Sequence, residues 1–337
     1  MHIAALVEGP NHVCCRYRVA AFRAAFEKAG HSLTLIPYPR RPWGWFGLTR
    51  QLANVDIVII QRKLLASWQL YLLKRQGRRV VFDYDDAVFL RDSYHRHGVH
   101  SSSRLRRFAH VVRNVDAVTA GNDFLREQAV PFIPADRAVV IPTCVEPDSY
   151  PVADHANSDV AELVWIGSSS TLKGLEAICP LLEEVGCRVP GVCLKLVCDR
   201  FLKLKHLPVR AVPWSEAGEA AALASADIGI SWLPDDDWSR GKCGLKVLQY
   251  MAAGLPVVAN RVGVQSTMIR HGETGYLASN ADEWVRAITL LVRDRDRRRR
   301  MGQMARRYVQ TMYSVASGAQ SWLSLLERLE PARRQSA

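Results

Sequence analysis

No run of the 337-residue chain approaches the roughly 18 consecutive apolar residues that a bilayer-spanning helix needs. The opening Met1-His2-Ile3-Ala4-Ala5-Leu6-Val7 is apolar but too short for the core of a signal peptide, and Glu8 ends it. It reads as a buried strand. The cysteines, at positions 14, 15, 144, 179, 187, 193, 198 and 243, never form a Cys-x-x-Cys pair. That removes the usual pattern of a structural zinc site, and without a signal peptide it points to reduced thiols in a cytosolic protein. No tandem repeat, zinc-finger or helix-turn-helix pattern is found, so a nucleic-acid partner is not expected. Acid is in short supply: 45 Lys+Arg against 33 Asp+Glu leave a net charge of +12. The excess is either a solvated basic face or an attraction for an anionic partner such as a phospholipid headgroup or a phosphorylated substrate.

What is present is a globular composition, 48% hydrophobic and 23% charged. At about 150 residues per domain the length fits two domains, each able to bury a core without a metal or disulfide. Apolar strand-like runs alternate with helical patterns. In the first half the strands fall at 3–7, 32–36, 56–60, 79–82, 117–120 and 138–141, with helices at 19–29 and 64–76. The β-branched run at 56–60 has the pattern of a strand buried on both faces. A Pro-containing stretch at 147–159 reads as a linker. Strands then recur at 163–166, 193–198, 228–230 and 256–259, with helices at 172–185, 216–225, 244–253, 281–292 and in the tail 302–330. Strand–helix alternation implies parallel sheets. Two doubly wound α/β units in series are expected, with ligands beyond the carboxyl ends of the strands, in a groove between the domains.

The most informative segment is Gly241-Lys242-Cys243-Gly244-Leu245-Lys246-Val247-Leu248-Gln249-Tyr250-Met251-Ala252-Ala253-Gly254-Leu255-Pro256-Val257-Val258-Ala259. It reads as a glycine-bearing loop, a short helix, a glycine stop and a buried strand. The helix mouth offers backbone N–H groups and the positive end of a dipole, and the glycines admit an anion to the backbone. Lys242 and Lys246 add charge. An ordinary helix–strand unit with a flexible entry loop has the same pattern.

This segment resembles the donor region of GT-B glycosyltransferases, most closely glycosyltransferase family 4. That family commonly shows a glutamate, then Phe-Gly, then Leu-Glu-Ala-Met-Ala-Cys-Gly-Leu-Pro-Val-Val. The likeness continues through Arg261-Val262-Gly263 and His271-Gly272-Glu273-Thr274-Gly275-Tyr276-Leu277. Ile141-Pro142-Thr143-Cys144-Val145 is similar to the family's inter-domain hinge, and Trp165-Ile166-Gly167 through Lys173-Gly174 to its Val-Gly-Arg and Lys-Gly. The resemblance covers both domains in chain order and is more specific in the C-terminal half.

The departures are as informative as the matches. The family's two glutamates, eight residues apart, fall on Gly241 and Gln249. Gly241 has no side chain to touch a donor sugar, whereas Gln249 can still bond a ribose hydroxyl as a neutral amide. The family's phosphate-binding arginine falls on Ser168 and the matching lysine survives as Lys173. The resemblance therefore implies a donor site drawn from Gly167, Ser168, Lys173, Trp214, Gly241, Lys242, Cys243, Gly244, Leu245, Lys246 and Gln249. Trp214 enters because the loop after a strand there meets the nucleobase in the family, although it can equally belong to the core. Asp235-Asp236-Asp237 offers a replacement for the missing sugar-contacting glutamate. The leaving nucleoside diphosphate gathers charge as the glycosidic bond breaks, and fixed cations and N–H dipoles stabilise it in GT-B enzymes. No metal and no cofactor are expected, the nucleotide sugar being a co-substrate.

Val80-Val81-Phe82-Asp83-Tyr84-Asp85-Asp86-Ala87 puts three carboxylates at the end of a buried strand. Where family 4 often carries His-Asp, this chain has Asp85 and Asp86. These are the catalytic candidates, to orient the donor sugar or take a proton from the acceptor, unless the cluster merely caps a helix or pairs with arginines. The same residues also resemble the first motif of haloacid-dehalogenase-type phosphatases, displaced to about the fourth strand and without the following Thr. Gly9, Arg16 and Arg18 in and after the first loop are candidates for the acceptor or phosphate side, or surface groups. His95, His97 and His100 read as a mobile active-site loop rather than a metal site. Arg40-Arg41-Pro42-Trp43-Gly44-Trp45-Phe46-Gly47-Leu48 reads as a loop, docked on an anionic membrane or folded onto the core. The run 293–300 reads as a solvated helix face.

The expected architecture is α/β, GT-B: an acceptor-side Rossmann-like domain at 1–155, a nucleotide-sugar donor domain at 156–312, and a C-terminal helix at 313–337 returning to the first. Closure about a hinge near Cys144 would assemble the site. The expected activity is transfer of a hexose, with retention, from a nucleotide sugar to an acceptor glycan or lipid-linked sugar in envelope polysaccharide, lipopolysaccharide or glycolipid synthesis. The expected location is cytoplasmic, peripheral to the inner membrane face. A homologue that binds the sugar nucleotide without turnover is the alternative.

Overall fold

The computed structural model describes residues 1–155 and 159–330. It divides into two compact units. Of the described residues, the first holds Met1–Cys144, Asp236–Cys243 and 315–330; the second holds those of Val145–Asp235 and Gly244–Ser314.

In the first unit six strands form one sheet: β1 (His2–Val7), β2 (Ser32–Pro37), β3 (Ile57–Gln61), β4 (Arg79–Tyr84), β5 (Ala117–Ala120) and β6 (Ala138–Val140). The order is β2-β1-β3-β4-β5-β6, every pair parallel. All five residues of β3 are buried, as a strand covered by helices on both faces must be. Helices Gly44–Gln51, Ser67–Lys74, Ser102–Arg113 and Asp123–Ala129 supply the core on one face, through Trp45, Leu48, Leu70, Leu73, Phe108 and Leu125. On the other face Phe22 and Phe26 pack with Trp322 of the terminal helix Val315–Leu329, at ring separations of 6.3 and 6.1 Å.

The second unit repeats the plan with β7 (Ala161–Ile166), β8 (Val192–Cys198), β9 (Val209–Pro213), β10 (Ile228–Ser231), β11 (Val257–Ala259) and β12 (Gly275–Leu277). Its parallel order is β12-β11-β10-β7-β8-β9, the doubly wound arrangement read from its far edge. Trp165 and Trp284 anchor its core. The strand order reverses between β7 and β10 here and between β1 and β3 in the first unit, so ligand sites are expected beyond those strand ends.

Several expectations need correction. The helix expected at 19–29 starts earlier, as Val13–Arg18, because His12 caps it by accepting from Cys14 N. A 3-10 turn, Ala20–Phe22, then separates it from Arg23–Lys28. The helix expected at 172–185 is two, Ser169–Glu176 and Cys179–Arg188; Pro180 has no N–H to donate into a preceding turn and suits the start of the second. The loop expected at 40–48 turns into the helix Gly44–Gln51, which buries Trp45 and Leu48. The tail breaks at Tyr313–Ser314 between helices Arg295–Met312 and Val315–Leu329, where Val145 bridges Ser314 and donates to Tyr313 O. Residues 145–155 cluster with the second unit rather than the first. Ala153 N donates to Ala253 O, and Arg306 Nη1 donates to Tyr150 O at 2.9 Å.

Candidate active site

At the switch point of the second unit, β7 ends in Gly167 and Ser168. A Cβ on Gly167 would lie 2.4 Å from the Trp165 ring and 2.6 Å from Thr171 Oγ1, so only glycine fits. Ser168 opens the helix Ser169–Glu176, and its N–H donates to Thr171 Oγ1 at 3.2 Å. Asp199, just past β8, accepts from Ser169 N at 2.6 Å and from Ser169 Oγ at 2.8 Å. These bonds hold its carboxyl below the usual carboxylate range. The Ser169 amide is thus occupied by a protein carboxylate. Lys173 is exposed on the last turn of the same helix.

The neighbouring helix Leu245–Ala252 is capped differently. Its N-cap is Gly244 at φ +67, and a Cβ there would lie 2.6 Å from Met268 Sδ. The cap carries no side chain, so an anion arriving at this mouth meets main-chain N–H groups of Leu245 and its neighbours. The helix is tied to the end of β7 twice. Tyr250 OH accepts from Ile166 N at 3.0 Å, and Lys246 Nζ stands 4.0 Å above the Trp165 ring. Gln249 is buried, with Nε2 3.4 Å from Tyr150 OH. Gly167, Gly244, Lys246 and Gln249 are therefore linked through one patch of structure. Trp214, just past β9, is 39% exposed, and its indole N–H donates to Glu219 Oε2 at 3.0 Å.

In the first unit the ends of β3, β4 and β5 carry the charge. Arg62 adopts φ +59, in the left-handed region that a non-glycine residue seldom occupies. From there it pairs with Asp86 Oδ2, stands 3.2 Å from Asp85 Oδ1 through Nε, and donates to Cys14 Sγ at 2.5 Å. Lys242 Nζ completes the cluster, 3.0 Å from Asp86 Oδ1 and 4.4 Å above the Trp238 ring. Asp86 is thereby held between two cations. Burial, reinforced by Asp85, pushes the Cys14 thiol far up, so it stays protonated.

Lys242 reaches Asp86 because the segment Asp236–Cys243 packs on these strand ends. Asn122 Nδ2 donates to the carbonyls of Arg240 (3.2 Å) and Lys242 (3.0 Å), while its Oδ1 caps the helix Asp123–Ala129. A Cβ on Gly241 would lie 2.7 Å from Ala87 Cβ, and one on Gly121 2.3 Å from Cys243 Sγ. Gly241, Lys242 and Cys243 thus belong to the first unit, and Gly244 onward to the second.

Some sequence expectations fail on this geometry. Arg18 is not an anion receptor at the surface. It is fully buried, with Nη2 2.5 Å from Asp83 Oδ1 and Nη1 donating to Ile141 O. Thr119 Oγ1 donates to the same carboxylate at 2.8 Å. Asp83 is wholly buried in that pair, which leaves no nucleophile for a haloacid-dehalogenase-type reaction. Arg16 is half-buried, its guanidinium 5.1 Å from the Tyr17 ring, and Gly9 accepts from His12 N in the first loop. Asp236 caps the helix Asp237–Arg240, and Asp237 pairs with Arg240 at 3.1 Å; both have structural work. Among the described residues no His, Cys, Asp or Glu group is placed to hold a metal ion, the His95–His100 loop included. Sequence reading missed Arg62 and Asn122. Nothing in Gln61-Arg62-Lys63 marks a left-handed residue, whereas Asn122 two residues past an apolar strand is a helix-cap pattern that was open to notice.

A family described as "Glycosyl transferases group 1" matches residues 237–308. D-inositol 3-phosphate glycosyltransferase of Nocardia farcinica is 44% identical over 64 residues, 18% of this chain; the aligned part spans only 14% of that relative. Sucrose-phosphate synthase from Thermosynechococcus elongatus superposes with a TM-score of 0.77 at 17% identity, over 97% of this chain and 98% of that one. Anabaena HepE, solved with UDP and glucose, gives 0.69 at 15% identity, over 97% of this chain and all of the other.

Two six-stranded parallel sheets in this order, with the terminal helix packed in the first unit, make this a GT-B protein. Within that fold, the stretch 237–308 is what matches the glycosyl transferases group 1.

Proposed function

We propose that the chain transfers a hexose, with retention, from a UDP-sugar to an acceptor hydroxyl. The observation that carries the reading is the glycine-capped mouth of Leu245–Ala252. It is fastened to the end of β7 at the sheet's switch point and falls inside the family match. Main-chain N–H groups there suit a pyrophosphate, with Lys246 adjacent and Lys173 on the next helix. Gln249 would bond the ribose and Trp214 the base. UDP is favoured because the structurally similar HepE was solved with UDP and glucose. In the first unit Asp85 and Asp86 are the groups proposed to meet sugar or acceptor, and Gly9 and Arg16 to flank the acceptor. A glycan or lipid-linked sugar of the cell envelope is the proposed acceptor, met at the cytoplasmic face. Among the described residues no helix is long and apolar enough to cross a membrane.

One observation favours non-catalytic binding as a second reading. The family's sugar-contacting glutamate corresponds to Gly241, where even a Cβ would meet Ala87 at 2.7 Å. Titration of UDP into the protein and into Lys173→Ala and Lys246→Ala tests the donor site. Each variant is expected to bind about tenfold more weakly, the loss of one charge-assisted contact. Unchanged affinity in both would refute the site. Release of UDP from a UDP-sugar, in the presence of membrane extract as acceptor, separates turnover from binding alone.

A further inference from the structure

Four large aromatic side chains stand out of the first unit on two neighbouring helices. Trp43 (66% exposed) and Phe46 (64%) lie at the start of Gly44–Gln51; Trp68 (44%) and Tyr71 (69%) lie on Ser67–Lys74. The i,i+3 spacing in each pair puts both members on one helix face. The two helices touch through Trp45 and Trp68, edge to face at 5.9 Å. The inner face of Gly44–Gln51 is already apolar, with Trp45 and Leu48 in the core, so the helix is apolar on both sides.

The stretch of sequence that carries these side chains is poor in acid. Between Lys28 and Phe82 the chain has no Asp or Glu except Asp56, and Asp56 is spent accepting from His2 N at 2.7 Å. The third helix of the layer, Ser102–Arg113, is also free of acid and exposes Leu105 between Arg104 and Arg106. Arg40 and Arg41 are exposed beside the aromatics, and Arg41 stacks 5.3 Å from the Trp43 ring.

We propose that this helical layer of the first unit docks on an anionic lipid bilayer, Trp43 and Phe46 entering the interface and Arg40 and Arg41 meeting the headgroups. Exposed Trp and Phe with adjacent arginines and no acid fit a surface that is negative outside and apolar just beneath. Single-stranded nucleic acid also takes aromatics and arginines, but it asks for a groove of stacking platforms. The aliphatic Leu105 on the same layer answers lipid better than base. The inference is independent of the reaction proposed above.

Co-sedimentation tests it with the full chain, using phosphatidylcholine vesicles with and without one third phosphatidylglycerol. Binding is expected only to the anionic vesicles. Trp43→Ser with Phe46→Ser, and separately Arg40→Glu with Arg41→Glu, are each expected to weaken it by about tenfold or more, near fivefold per cation removed. These side chains are exposed, so circular dichroism and melting should match the parent. Failure to bind anionic vesicles overturns the proposal, as does equal binding by both variants. It is also overturned if only the arginine pair matters and a single-stranded oligonucleotide binds as tightly as the vesicles do. Such an outcome would mark a general polyanion surface.

Discussion

Two arginines two residues apart show how much of this site a sequence can carry. Arg16 and Arg18 have the same chemistry and share one short helix, yet one is half-buried beside Tyr17 and the other is wholly buried on Asp83. What separates them is the helical turn set by His12, which aims every third or fourth residue at the sheet, and no local pattern announces it. The acidic cluster was legible as three carboxylates, but its partner Arg62 was not, since its role depends on a left-handed backbone. Burial also decides the thiols. Desolvation pushes Cys144 up to about 11, and Cys14 and Cys243 rise as well. At about pH 8.5, where an ordinary cysteine is half ionised, these three stay protonated. Mass-spectrometric mapping of iodoacetamide labelling at that pH is therefore expected to find Cys187, the exposed cysteine, modified first and the buried Cys144 and Cys243 last. The sign for stability follows: the unfolded chain loses these protons near its ordinary pKa, the folded chain only higher. Stability is full below the ordinary range and declines as pH rises from about 9 toward 11.

At the scale of elements, strands buried on both faces were the most legible, because an unbroken apolar run such as Ile57-Val58-Ile59-Ile60 admits few other readings. β9 was expected only as an unbounded strand before Trp214, its burial being partial and irregular, and β12 went unplaced because it has only three residues. The helix Leu245–Ala252 was legible in full, since its glycines and its apolar face are local features. The path of Asp236–Cys243 was not. A sequence that runs on into the helix Leu245–Ala252 gives no sign that eight residues before it pack in the other unit. The glycines in that segment do the work. Gly241→Ala would bring a methyl to 2.7 Å from Ala87 Cβ and 3.0 Å from Ala87 N, and the backbone neighbour cannot rotate away. A loss of about 1–3 kcal/mol is expected, the usual cost of overpacking. Asn122→Ala removes two bonds to carbonyls and a helix cap, with a comparable expected loss of about 1–2 kcal/mol. Urea titration of both variants against the parent checks this; midpoints unchanged in both would mean that the segment contributes nothing to the fold.

The described residues form two sheets, each with its own core, and the helix Val315–Leu329 belongs to the first unit although it follows the second in the chain. Trp322, Leu325 and Leu326 therefore stabilise strands laid down about three hundred residues earlier, as an apolar tail at 302–330 already hinted. Trp322 is fully buried against Phe22 and Phe26, so Trp322→Ala should cost about 3–5 kcal/mol, a large share of what holds a domain together. The proposed nucleotide mouth lies in the other unit, on Gly244 and its helix. Differential scanning calorimetry can read the two apart. UDP at about a hundred times its Kd adds about 2.7 kcal/mol to whatever unfolds with its site. It is expected to raise one transition, while Trp322→Ala lowers the other, leaving UDP affinity at low temperature close to the parent's. A single transition moved by both would show that the units unfold together. A transition raised by UDP and identical with the one Trp322→Ala lowers, beside a second that neither moves, would put the nucleotide in the first unit and end the assignment of the pyrophosphate to Gly244.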